Sequence, residues 1–127
     1  MGKTVLLVED TVEYKEKLTE DLKQGGYDVL TAENGVEGIE VVKKEGQSID
    51  LIISDLHMPE LNGLDMAKKI FEENMTKAPI MILTTDASKE MKKKGKAAGI
   101  KTWILKPIKK ETFLGTVNLL VEKFSSN

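Results

Sequence analysis

Leu51-Ile52-Ile53-Ser54-Asp55-Leu56-His57-Met58-Pro59 is the stretch on which the reading of this chain turns. Three consecutive large apolar residues, two of them β-branched, are the pattern of a short strand buried on both faces. Asp55 stands directly after that run, at the strand's C-terminal end. Pro59 donates no ladder hydrogen bond and disfavours helix at Met58, so strand gives way to loop here. In an open parallel sheet, ligands bind outside the C-terminal ends of the strands. Asp55 therefore presents a carboxylate on a rigid stem at the binding edge. Turns and helix caps use Asp in such places too, so the other strand ends must decide.

Working outward, Thr4-Val5-Leu6-Leu7-Val8 is a second buried-strand pattern, followed by Glu9-Asp10-Thr11. Val12, Leu18 and Leu22 mark one face of a helix that Gly25-Gly26 should end. Tyr27 to Ala32 reads as a strand. Asn34-Gly35 resembles a hairpin turn, but Glu37 three residues after Asn34 fits a helix N-cap better. That helix should run to Glu45 and stop at Gly46. After Pro59, Leu64, Ala67, Ile70 and Phe71 keep helical spacing toward Asn74. Ile80-Met81-Ile82-Leu83 is a buried strand leading to Thr84. Ser88 to Ala98 reads as a helix closed by Gly99, and Thr102 to Leu105 as a short strand before Lys106. Phe113, Val117, Leu120 and Phe124 give a last amphipathic helix. Ser125-Ser126-Asn127 is expected to fray.

The result is a strand and a helix in alternation, five times over. That pattern implies an α/β fold, a doubly wound five-stranded parallel sheet with helices on both faces. At 127 residues, the expectation is one domain spanning 1–127. A net charge of −2 gives no general attraction for nucleic acid or anionic membrane. The absence of Cys excludes disulfides and thiolate chemistry. No signal-peptide pattern or membrane-length apolar run is present, so a cytoplasmic location and no membrane partner are expected.

Parallel strands share one C-terminal edge, so Glu9, Asp10, Asp55, Thr84 and Lys106 can converge there. Three carboxylates brought close resist ionising together. A hard dication relieves this, and Mg²⁺ favours one or two carboxylates with water and a phosphate. Lys106 adds a cation and Thr84 a hydroxyl, so the edge reads as a phosphoryl-binding site.

Glu9-Asp10, Asp55 with Met58-Pro59, Thr84, and Lys106-Pro107 resemble, in order and spacing, the receiver domain of two-component response regulators. The resemblance spans essentially the whole chain and is to the stand-alone, chemotaxis-type members, with no output domain. It implies a flavodoxin-like sheet of order 2-1-3-4-5 and a cis Lys106–Pro107 bond. It implies Asp55 as phospho-acceptor from a histidine kinase, with Thr84 and Lys106 binding the phosphoryl oxygens. Mg²⁺ would be held by Glu9, Asp10, Asp55 and the His57 backbone carbonyl. Thr84 and Trp103 would be the switch residues, acting on the face of the fourth helix, fifth strand and fifth helix. Such a protein is a signalling switch rather than a classical enzyme. Its partners would be the kinase, a phosphatase and an output protein, with the flagellar motor as one candidate, and it would be monomeric.

Other readings of the same residues differ in testable ways. A receiver-like module that works without phosphorylation would not need the intact set of acids, Thr84 and Lys106. An aspartyl-phosphate hydrolase wants a second acid soon after the nucleophile, where this chain has Leu56 and His57. A flavin protein wants a Ser/Thr/Gly-rich phosphate loop where Glu9-Asp10 stands. Lys89, Lys92, Lys93, Lys94 and Lys96 read first as a solvated helix face, and second as a dock for an acidic partner. His57 and Asp86, two residues after Asp55 and Thr84, are expected to flank the water approach to a phosphate.

Overall fold

Strand runs rich in Val, Ile and Leu build the sheet that the periodicity implies. In the computed structural model, which describes residues 2–86 and 88–124, the strands are β1 (Thr4–Val8), β2 (Asp28–Ala32), β3 (Leu51–Ser54), β4 (Ile80–Thr84) and β5 (Thr102–Leu105). They are all parallel, in the order β2-β1-β3-β4-β5. The helices between and after them are α1 (Val12–Gln24), α2 (Gly35–Glu45), α3 (Gly63–Glu72), α4 (Lys89–Ala97) and α5 (Lys110–Lys123).

Alternate strand residues point to opposite faces, which divides the core in two. Leu6, Val8, Ile52 and Ile82 meet Ile39 and Val42 of α2 and Met66, Ala67 and Ile70 of α3. Val5, Leu7, Leu51, Ile53, Met81 and Leu83 meet Leu18 and Leu22 of α1 and Phe113, Val117, Leu120 and Val121 of α5. The strands buried on both faces are those whose sequence is an unbroken apolar run, β1, β3 and β4.

The Asn34 carboxamide oxygen accepts from Glu37 N–H at 2.9 Å, so Asn34-Gly35 starts a helix and not a hairpin. At the far end of α4, Gly99 takes φ +85° and Ile100 N–H bonds back to Gly95 O at 3.0 Å, the helix closure that glycine permits. The Lys106–Pro107 peptide is cis.

Several expected details differ. Tyr27 N–H bonds back to Leu22 O at 3.0 Å, closing α1, and β2 begins only at Asp28. α2 does end at Glu45 with Gly46 as its cap, but an unexpected 3-10 turn over Gly46–Ser48 follows. Val12 is 57% exposed, and the inner face of α1 follows Tyr14, Leu18 and Leu22 instead. Phe71 is also exposed, lying beside Gly99 on the flank of α3. The Ser125-Ser126-Asn127 end lies outside the described residues.

The turn after β3 is held against α3 by a close approach. Gly63 N–H donates to Leu56 O at 2.8 Å, and a Cβ on Gly63 would stand 2.2 Å from Asp55 O. Helix propensity alone favours alanine over glycine by about 1 kcal/mol. Here the clash is with backbone that cannot step aside, so Gly63→Ala is expected to destabilise the fold by about 1–3 kcal/mol. A denaturant midpoint that stays or rises would contradict this packing.

Candidate functional site

Ladder hydrogen bonds continue one residue past several strands and fix where the first loop residues stand. Glu9 N–H donates to Ala32 O at 3.0 Å, Asp55 N–H to Val8 O at 3.0 Å, and Lys106 N–H to Thr84 O at 2.8 Å. Three chemistry-bearing side chains thus leave one sheet edge from backbone still bonded to the neighbouring strand.

They meet. Lys106 Nζ lies 3.2 Å from Glu9 Oε1 and 3.3 Å from Asp55 Oδ2. Glu9, Asp10 and Asp55 each offer a carboxylate oxygen, all within 4.8 Å of one another. Glu9 is buried, Asp55 half-buried and Asp10 exposed, so the cluster opens to solvent on the Asp10 side. Backbone donors support two of the acids: Thr11 N–H donates to Glu9 Oε2 at 3.1 Å and Leu56 N–H to Asp55 Oδ1 at 2.7 Å.

The electrostatics follow from crowding. Burial pushes the Glu9 carboxyl above its usual range, and the negative charge of Asp55 pushes the same way; the Thr11 N–H and Lys106 oppose them. Burial works to lower the Lys106 pKa, but the charges and hydrogen bonds of Asp55 and Glu9 together outweigh it and raise it. The lysine therefore stays charged, a single ammonium set against three carboxyl groups. The donor set is all oxygen, carries excess negative charge and has an open side, which suits a hard dication such as Mg²⁺.

Thr84 at the end of β4 and Trp103 of β5 share a partner. Thr84 is fully buried, and its hydroxyl oxygen accepts from Asp86 N–H at 3.1 Å. Trp103 donates its indole N–H to Asp86 O at 2.9 Å. Residue 86 thus ties the end of β4 to the β5 aromatic. The Trp103 ring packs on the inner face of α4: a Cβ on Gly95 would stand 2.6 Å from Cζ3.

The partner of the His57 imidazole is Asp86, not one of the three clustered acids. Nε2 lies 3.6 Å from Asp86 Oδ2 on the facing loop, and the side chain is largely exposed. The α4 lysines Lys89, Lys92, Lys93, Lys94 and Lys96 are all exposed, with Lys94 3.4 Å from Glu90 one turn away.

The sequence reading missed Tyr14. The Lys106 ammonium sits 4.4 Å from the centroid of its ring. The signal was available: Tyr14, Leu18 and Leu22 repeat every fourth residue, which puts the tyrosine on the inner face of α1, one turn into the helix from Asp10.

The family model described as the response regulator receiver domain matches residues 5–118. Protein PilH of Pseudomonas aeruginosa is 34% identical over 118 residues, covering 92% of this chain and 96% of that protein. Chemotaxis protein CheY1 of Helicobacter pylori is 36% identical over 121 residues, covering 88% and 97%. Among solved structures, chemotaxis protein CheY4 of Vibrio cholerae superposes with a TM-score of 0.87 at 35% identity, over 94% of this chain and 99% of that one.

Proposed function

The chain belongs to the response regulator receiver family, and from that premise we propose that it is a phosphorylation switch that accepts a phosphoryl group on Asp55. The observation that carries this reading is the Asp55 carboxylate standing at a strand end between two further acids and a lysine, 3.3 Å from the Lys106 ammonium.

In the proposed reaction an Asp55 carboxylate oxygen attacks the phosphorus of the donor. A new O–P bond forms as the donor's bond to phosphorus breaks. The leaving electron pair goes to imidazole when the donor is a kinase phospho-histidine, or to acetate when it is acetyl phosphate. The product is an acyl phosphate. Lys106 keeps its charge and follows the negative oxygens from carboxylate to phosphoryl. The Thr84 hydroxyl oxygen is engaged as an acceptor by Asp86 N–H, which leaves its own proton to donate to a phosphoryl oxygen. Glu9, Asp10 and Asp55 would hold Mg²⁺, with the His57 backbone carbonyl as a further ligand; when bound, the ion supplies charge neutralisation between the acids and the incoming group.

The readout rests on the Asp86 peptide. If Thr84 moves toward a phosphoryl group, the Asp86 N–H loses its acceptor, and the bond from Trp103 to the same residue is disturbed. Phosphate then favours one of two arrangements of the face made by α4, β5 and α5. A histidine kinase upstream, a phosphatase, and an output protein such as a flagellar-motor component are the proposed partners, with the exposed α4 lysines suited to an acidic one. Incubation with acetyl phosphate and Mg²⁺, read by Trp103 fluorescence, tests the coupling. Trp103 is the single tryptophan, so a changed signal can be assigned.

Two further outcomes are expected. Because the Glu9 carboxyl is raised, it takes up a proton at higher pH than an ordinary carboxyl. In metal-free protein, ionised Glu9 costs stability above its folded pKa, and that cost disappears as the pH falls through it. Mg²⁺ affinity should move the other way. It should weaken on acidification from neutrality before ordinary carboxylates protonate, as calorimetric titration across pH would show; affinity constant down to the normal carboxylate range would count against it. The second outcome concerns the His57–Asp86 contact, which spans the loops that follow β3 and β4. Replacing both with Ala is expected to change the lifetime of the phosphorylated protein several-fold, about the scale of 1 kcal/mol in a barrier. An unchanged dephosphorylation rate would remove this pair from the mechanism.

A further inference from the structure

We propose that Tyr14 is a positioning residue for Lys106, holding the ammonium over the site by the face of its ring. The proposal rests on the phosphoryl-acceptor reading above and adds to it a residue from α1.

Lys106 reaches the acids on a flexible four-carbon stem, which alone fixes an ammonium poorly. Glu9 and Asp55 draw it from one side, at 3.2 and 3.3 Å. Tyr14 supplies a further wall, with its ring centroid 4.4 Å from Nζ, inside the range of a cation–π contact. The ring itself is held: it packs against the core cluster that includes Leu18 and Leu22 of its own helix. Lys106 is 16% exposed at its side chain, so this contact is shielded from water and from screening.

The chemistry suits a moving charge. An ammonium has three N–H donors. A third carboxylate would consume one of them and pull the lysine away from the phosphoryl group. An aromatic face attracts the cation through its quadrupole and leaves the donors to the oxygens. Once Asp55 is esterified, its charge passes to the phosphoryl oxygens and Lys106 must shift toward them. A ring face tolerates that shift, because its attraction does not depend on one hydrogen-bond direction.

The test uses initial rates of phosphoryl uptake from acetyl phosphate with Mg²⁺ in the whole chain. Tyr14→Leu keeps an apolar side chain but removes the quadrupole, and should slow uptake by about fivefold, the scale of an exposed-to-shielded cation–π contact. Tyr14→Phe retains the face and should restore the rate to within about twofold of the parent, since the ring and not the hydroxyl carries the attraction. A double-mutant cycle removes structural effects: with Lys106→Met already in place, Tyr14→Leu should cost nothing more. Equal rates for parent and Tyr14→Leu overturn the proposal, as does a loss in Tyr14→Leu that persists in full with Lys106→Met. A parent that takes up phosphoryl normally while Tyr14→Leu is unaffected leaves the Asp55 reading intact and removes only Tyr14. A parent that takes up none overturns both.

Discussion

Asp55→Asn is expected to take up no phosphoryl group from acetyl phosphate or from a phospho-histidine donor, and to be at least as stable as the parent without metal. Both halves follow from the same geometry. A carboxamide oxygen is neutral and has no charge to carry into a new O–P bond, so the nucleophile is gone. The two neighbouring carboxylates lose a like charge within 4.8 Å, so the folded protein is relieved of repulsion. Lys106 retains Glu9 as its partner at 3.2 Å. The measurement is intact mass beside a thermal midpoint taken with chelator present. Uptake by Asp55→Asn equal to the parent's would move the acceptor elsewhere, and a large fall in midpoint would mean that Asp55 serves mainly to hold the fold.

Removing the lysine should separate the same two quantities in the opposite sense. On the proposed reading, Lys106→Met leaves Asp55 as nucleophile but takes away the cation that would meet the charge gathered on the phosphoryl oxygens. The rate of uptake should fall on the order of a hundredfold or more, as when one preorganised donor to a transition-state oxyanion is lost. The buried Glu9 is also left without its ammonium partner, so metal-free stability should fall by about 3–5 kcal/mol at most, the scale for breaking a buried pair. A bound Mg²⁺ would compete with that ammonium for the same acids. Its affinity should therefore rise in the variant, and its stabilising effect, which grows with ligand over dissociation constant, should be larger than in the parent. Weaker Mg²⁺ binding in Lys106→Met would contradict the shared-acid geometry.

The parts of the molecule legible from sequence were those fixed by short-range rules. Unbroken apolar runs locate β1, β3 and β4 because a strand covered on both faces has no polar side to show. A parallel sheet then brings Glu9, Asp55 and Lys106 to one edge whatever the details of the loops. Less legible were features set by three-dimensional packing. Val12 and Phe71 satisfy a helical period yet face outward, because period alone does not say which of two adjacent stripes meets the sheet. Tyr14 escaped notice for the same reason: its importance comes from Lys106, far away in sequence and brought over its ring only when α1 and the end of β5 come together. The link from Thr84 to Trp103 runs through the backbone of Asp86, and no side-chain pattern announces a backbone bridge.

That opposite charges and like charges are assembled at this edge to receive a phosphoryl group is tested most directly by the intact mass of the protein after incubation with acetyl phosphate, once with Mg²⁺ and once with a chelator. One added phosphoryl group with Mg²⁺, located on Asp55, and none with chelator is the predicted result. No added mass under either condition, with a phospho-imidazole donor failing as well, would contradict it.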